Sequence, residues 1–115
     1  MQQKIYTVSQ LNTVIKAALQ GSLPPRLTIS GEITNFKQAA SGHWYLSLKD
    51  EKSVIPCAMW RSRTGANKFT PENGMAVLAS GFVDVYIPHG RYQLIIDSLQ
   101  PAGTGALQIA FEQMV

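Results

Sequence analysis

The sequence predicts a mostly-β domain: one small closed barrel of five strands, with a helix before it and the start of another after it. Three observations carry that expectation. Between Ile29 and Arg61 three runs alternate, built on Ile29-Gly31-Ile33, Trp44-Leu46-Leu48 and Ile55-Cys57-Met59. A period of two marks strands buried on one face and open on the other. Two longer runs, 75–87 and 90–99, are joined by Pro88, His89 and Gly90, which read as a hairpin turn. Finally, Gly31 and Gly81 stand inside the two longest strands, where a tightly coiled barrel needs bends or close backbone approach.

In chain order, residues 5–20 read as a short strand-like lead followed by a helix over 9–20. Thr7 or Ser9 can cap it. Leu11, Val14, Ile15, Ala18 and Leu19 share one face, and Gly21 with Pro24 and Pro25 ends it. The first strand is expected at 26–36, then a flexible loop at 37–42 carrying Lys37. The second strand is expected at 43–49. A tight DEKS turn leads into the third, at 54–61. The following stretch is polar and turn-rich, with room for one helical turn near 67–69. Pro101 is expected to stop the fifth strand, and residues 103–114 read as an unfinished helix. The domain boundaries that follow are 1–25 for a helical extension, 26–102 for the barrel and 103–115 for the start of a linker helix.

At 115 residues, 45% hydrophobic and 15% charged, the chain has the make-up of one globular domain. Its net charge of +3 permits a polyanionic partner without demanding one. The single cysteine, Cys57, excludes an intrachain disulfide and a cysteine-based zinc site. Its inward parity makes it a small buried hydrophobe. No apolar run reaches 18 residues and the N-terminus has no signal core, so a soluble cytoplasmic domain without a membrane partner is expected.

Five strands with a short helical connection between the third and fourth form the strand plan of a five-stranded Greek-key OB-fold barrel. That fold binds oligonucleotides or oligosaccharides on its second and third strands and on the loops joining strands one to two and four to five. The outward parity of those two strands carries Tyr45, Lys49 and Trp60. Aromatics and a cation facing water suit a nucleic-acid strand, whose bases stack and whose phosphates need neutralising. Lys37, Arg61, Arg63 and Arg91 are the further phosphate candidates, and His43 is a loop histidine suited to a hydrogen bond or a phosphate. Each has a plainer reading. Trp60 can fold over the barrel end against the N-terminal helix, and Lys49 can belong to a solvated charged turn.

The segments YTVSQLNTVIKAAL, GEITNFKQAASGHWYLSLKD, CAMWR, NGMAVLASGFVDVY and GRYQLIIDSLQPAGTGAL resemble the N-terminal domain of the large subunit of bacterial exodeoxyribonuclease VII. The resemblance covers nearly the whole chain. It implies an OB-fold that grips single-stranded DNA on the face described, with Tyr45 where related anticodon-binding domains keep a stacking aromatic. It also implies a catalytic domain in the same polypeptide, absent from this sequence, and a small helical partner subunit. The whole enzyme would degrade single-stranded DNA from both ends to acid-soluble oligonucleotides, with magnesium possible but not required. The chain stops where the linker helix would begin, which reads as a fragment. Its less basic loop after Trp60 and Pro56 within a strand depart from the pattern, and weak DNA binding is expected of it alone.

No catalytic or metal-binding residues are assigned. His43 and His89 flank glycine-rich loops near Asp50 and Asp84, yet no ligand spacing appears. No serine has a partner base, and the GTG around Thr104 lacks the lysine of a phosphate loop. The fragment is therefore expected to bind without cleaving and to need no cofactor. Two other readings stay open: an RNA-binding OB domain of the anticodon-binding kind, and a structural interaction module that docks through residues 5–19 and 107–114.

Overall fold

The computed structural model describes residues 3–102. The Thr7 hydroxyl accepts the Gln10 N–H while the Gln10 side chain accepts the Thr7 N–H, a reciprocal cap that starts a helix. Helix α1 then runs Val8–Ser22, two residues past the expected end, until Leu23 turns extended before two prolines. The expected strand-like lead is not a strand, because residues 5–7 carry no strand pairing.

Five strands follow: β1 Leu27–Gln38, β2 Trp44–Lys49, β3 Val54–Met59, β4 Ala76–Tyr86 and β5 Arg91–Pro101. They close in the order β1-β2-β3-β5-β4. Neighbours are antiparallel except β3 and β5, which run parallel. This is the Greek-key barrel that the alternation predicts. Trp44, Leu46 and Leu48 point inward with Ile33, Cys57, Met59, Val77, Leu94 and Ile96 to form the core. Gly81 is where the barrel closes on itself. A Cβ there would lie 1.8 Å from the Ile95 carbonyl oxygen, so only glycine admits the approach at the bulge between Ser80 and Gly81.

Several boundaries move, each for a local reason. β1 continues to Gln38, so Lys37 is a strand residue opposite Tyr45 and not part of the loop. Asn35 makes this possible: its φ of 55° sits in the register break between Thr34 and Lys37, a left-handed conformation that asparagine tolerates. β3 ends at Met59, and the helical turn follows at once as α2, Arg61–Thr64, instead of lying near 67–69. β5 runs on to Pro101, which pairs with Val77 as the last strand residue, a position where proline is tolerated. The β4–β5 connection is a 3-10 turn, Ile87–His89. The expected helix start at 103–115 lies outside the described residues.

One feature of the pairing shapes the surface. β1 accompanies β4 only as far as Gly81, and β3 meets β5 only at Cys57–Leu94 and Ala58–Ile95. β4 and β5 nonetheless stay paired out to Tyr86 and Arg91. The far half of that hairpin therefore projects from the barrel as a two-stranded arm.

Candidate nucleic-acid interface

Between the β2–β3 sheet and this arm lies an open groove of about 640 Å³. Its floor and near wall are Tyr45, Ser47, Pro56 and Trp60, with Lys37 at the β1 side. The far wall is the arm, contributing Tyr86, His89, Arg91 and Tyr92. Of the expected site residues, then, the fold brings Lys37, Tyr45, Trp60 and Arg91 into one groove.

Trp60 does not fold against α1. It follows the last β3 residue, on the same outward parity as Pro56 and Ala58, and its ring meets two others edge-on. The centroids are 5.2 Å from His43 and 6.4 Å from Tyr45, at 78° and 79°. Edge-to-face contacts of this kind favour a fixed ring orientation. Both rings keep exposed surface, 42% for Tyr45 and 37% for Trp60. Ala58, between them on the outward parity, is buried instead of open. A single methyl among larger neighbours is overhung by them, and the Tyr45–Ala58–Ile95–Phe82 row across four strands encloses Ile95 as well.

The remaining candidates stand apart from the groove. His43 lies behind Trp60, its Nδ1 accepting the Arg61 backbone N–H at 2.8 Å. The Thr64 hydroxyl donates to the Gly42 carbonyl at 2.9 Å, which latches α2 to the β1–β2 loop. Gly42 has φ 94°, and a Cβ there would meet the Arg61 side chain at 2.9 Å, so the latch needs glycine. Arg61 and Arg63 project from α2 on the exposed rim. Lys49 is at the other end of β2, 3.3 Å from Glu32 directly across the β1–β2 pair. It is therefore already partnered and away from the groove. Lys37, Arg61, Arg63 and Arg91 form no ion pair among the described residues.

Sequence reasoning missed Tyr86 and Tyr92 as groove residues, and read His89 as a hydrogen-bonding or phosphate-contacting loop histidine without placing it in the site. Their signal was present in VYIPHGRY, two tyrosines flanking a hairpin tip. Both tyrosines flank the hairpin that already made Arg91 a candidate, and their rings are stacking surfaces of the same kind as Tyr45 and Trp60. Tyr86 and His89 meet edge-on, with ring centroids 5.0 Å apart. Among the described residues no three His, Cys, Asp or Glu come together in a way that would hold a metal, and no helix is long and apolar enough to cross a membrane.

The family model described as an OB-fold nucleic acid binding domain matches residues 6–100. The chain belongs to that family. Within this OB-fold family it is 49% identical over 114 residues to the exodeoxyribonuclease 7 large subunit of Haemophilus influenzae (strain 86-028NP), covering 99% of this chain and 26% of that protein. It thus spans about a quarter of the length of the curated relative it matches. Among solved structures, a replication protein A heterotrimer bound to ssDNA matches with TM-score 0.63 and 17% identity, over 84% of this chain and 71% of that one. The S. pombe Stn1–Ten1 complex matches with TM-score 0.59 and 15% identity, over 76% and 66%. At such identities the structural matches establish the OB-fold alone. The chain is an OB-fold nucleic-acid-binding domain similar to part of exodeoxyribonuclease 7 large subunits.

Proposed function

We propose that the groove between the β2–β3 sheet and the β4–β5 arm holds single-stranded DNA without sequence preference. The observation that carries this reading is the pairing of exposed stacking rings, Tyr45 and Trp60, with Lys37 and Arg91, cations that form no ion pair among the described residues, in one groove. Stacking surfaces accept every base and cations accept every phosphate, so neither contact reads sequence. Arg61 and Arg63 add rim charge where a strand would leave the groove. The name of the relatives supports DNA over RNA as the ligand.

In this reading the domain is the DNA-gripping module of a longer polypeptide. A catalytic domain of that polypeptide cuts single-stranded DNA exonucleolytically to short oligonucleotides, and a small helical subunit completes the enzyme. The compartment would be the cytoplasm. This domain itself feeds or retains the strand and does not cleave it.

The test is a titration of labelled oligo-dT against an RNA oligomer of equal length over a salt series. Tighter binding of DNA, with a log–log salt slope of about −2 to −3.5 from three to five engaged cations, supports the proposal. Preference for RNA would point to an anticodon-type domain, and no binding of either to an interaction module. Labelled DNA should stay full-length with or without magnesium, and release of short products by the pure domain would overturn its non-catalytic role.

A further inference from the structure

Helix α1 does not pack by the face its sequence pattern suggests. Of the expected face Leu11, Val14, Ile15, Ala18 and Leu19, Leu19 is half-buried, but Leu11, Val14 and Ile15 are each more than 40% exposed. The polar contacts to the rest of the fold come from Asn12, Lys16 and Gln20, spaced i, i+4, i+8, and they go to the arm. The Asn12 amide donates to the Ile87 carbonyl at 3.0 Å, at the arm's tip. Asp84 Oδ1 gathers Lys16 Nζ at 3.3 Å and the Gln20 amide at 3.3 Å, along with the Val85 N–H at 2.9 Å.

We infer that α1 is a brace for the arm, with Asn12 and Asp84 as positioning residues that set the width of the groove. The inference rests on the proposed binding of single-stranded DNA in that groove. Residues 82–93 form a two-stranded ribbon with no further strand paired on either side, because β1 leaves β4 at Gly81 and β3 meets β5 no further out than Leu94. An isolated two-stranded ribbon is marginal in water. Val83 packs against the barrel core at the ribbon's base, and α1 is the helix that reaches along it to the tip. Hydrogen bonds and a charge-assisted pair are directional, so they fix the angle of the ribbon where apolar contact would let it slide. That angle decides how far Tyr86, His89, Arg91 and Tyr92 stand from Tyr45 and Trp60. The brace therefore acts on ligand only through the arm.

The test is a double-mutant cycle on the whole chain with oligo-dT as the probe, together with amide hydrogen exchange without DNA. Asn12→Ala and Asp84→Ala should each weaken binding about threefold to tenfold, the range of one or two lost hydrogen bonds. In a Tyr86→Ala, Tyr92→Ala background the same changes should cost less than about twofold, since the arm then has no ring to position. Without DNA, amide exchange in the arm, at Tyr92 for example, should quicken while that of Leu48 in the barrel stays slow. Lys16→Met, at a partly exposed site, repeats the experiment should either alanine variant fail to fold. Unchanged binding, additive losses, or an arm whose exchange does not quicken would each overturn the brace. If Tyr45→Ala and Trp60→Ala also leave binding unchanged, the groove reading fails separately, and the exchange measurement alone decides whether α1 holds the arm.

Discussion

His43 Nδ1 accepts the backbone N–H of Arg61 at 2.8 Å, and the same imidazole meets the Trp60 ring edge-on. One side chain from the residue just before β2 thereby fixes both the first turn of α2 and the tryptophan before it. Nδ1 is occupied, so the ring serves Trp60 in place of offering both nitrogens to a phosphate. His43→Ala is expected to weaken binding of single-stranded DNA by about 1 kcal/mol through loss of Trp60 orientation. The salt slope should stay put, because no cation is removed. A slope that flattens as it does for an arginine variant would instead make His43 a phosphate contact.

Tyr45 is the central ring of the groove, and its replacement isolates stacking. Tyr45→Ala should cost about 1–3 kcal/mol of affinity with the slope nearly unchanged. Its melting temperature should match the parent, since nearly half of the side chain is in solvent. A marked drop in Tm with intact binding would put the ligand on another face.

Much of this was legible in the sequence because it is local. WYLSLK alternates without interruption, so inward Leu46 and outward Tyr45 followed from period two alone. A cap at Thr7 or Ser9 followed from the residue types at the start of α1, and the helix uses Thr7. What was hidden depends on partners far along the chain. The position of Lys37 turns on the left-handed Asn35, which adds a residue to β1 and moves the loop. Periodicity gave α1 an apolar stripe, of which Leu19 is half-buried, but could not say that a polar row would make the directional contacts to the arm. The arm was invisible for the same reason: its independence comes from where β1 and β3 stop pairing, and neither stop has a signal in the strand sequences themselves.

The barrel interior predicts two stability effects. Leu46→Ala should destabilise the domain by about 2–5 kcal/mol, as a buried leucine truncated among well-packed neighbours does. Burial also pushes the Cys57 thiol up to about 12 from an ordinary value of 9.0. The native state then keeps a proton that the unfolded chain releases. Stability from this site is whole below pH 9 and falls as pH rises from 9 toward 12, by at most about 1.4 kcal/mol per pH unit. Denaturant titrations of the parent and Cys57→Ala across that interval should diverge accordingly. At pH 8 a thiol reagent should label the protein only after denaturation.

Lys49 and Arg91 make the sharpest contrast among the cations. Both were legible as phosphate candidates, and the fold treats them differently. Lys49 faces Glu32 at 3.3 Å, with both side chains about half exposed. An exposed pair of this kind contributes only about 0–1 kcal/mol to stability, yet it leaves little net positive charge for a phosphate. Arg91 stands in the groove wall opposite Tyr86 on the arm, without an ionic partner among the described residues. Arg91→Ala should therefore flatten the log–log salt slope by roughly 0.7, one phosphate's share for a single strand, and weaken binding of every sequence alike. Lys49→Ala should leave the slope within error and lower Tm by no more than a few degrees. If the two variants flatten the slope equally, the strand runs on from the groove along the whole of β2. Glu32→Gln separates the cases further: by freeing Lys49 it should steepen the slope only if DNA passes within reach of that end of the barrel.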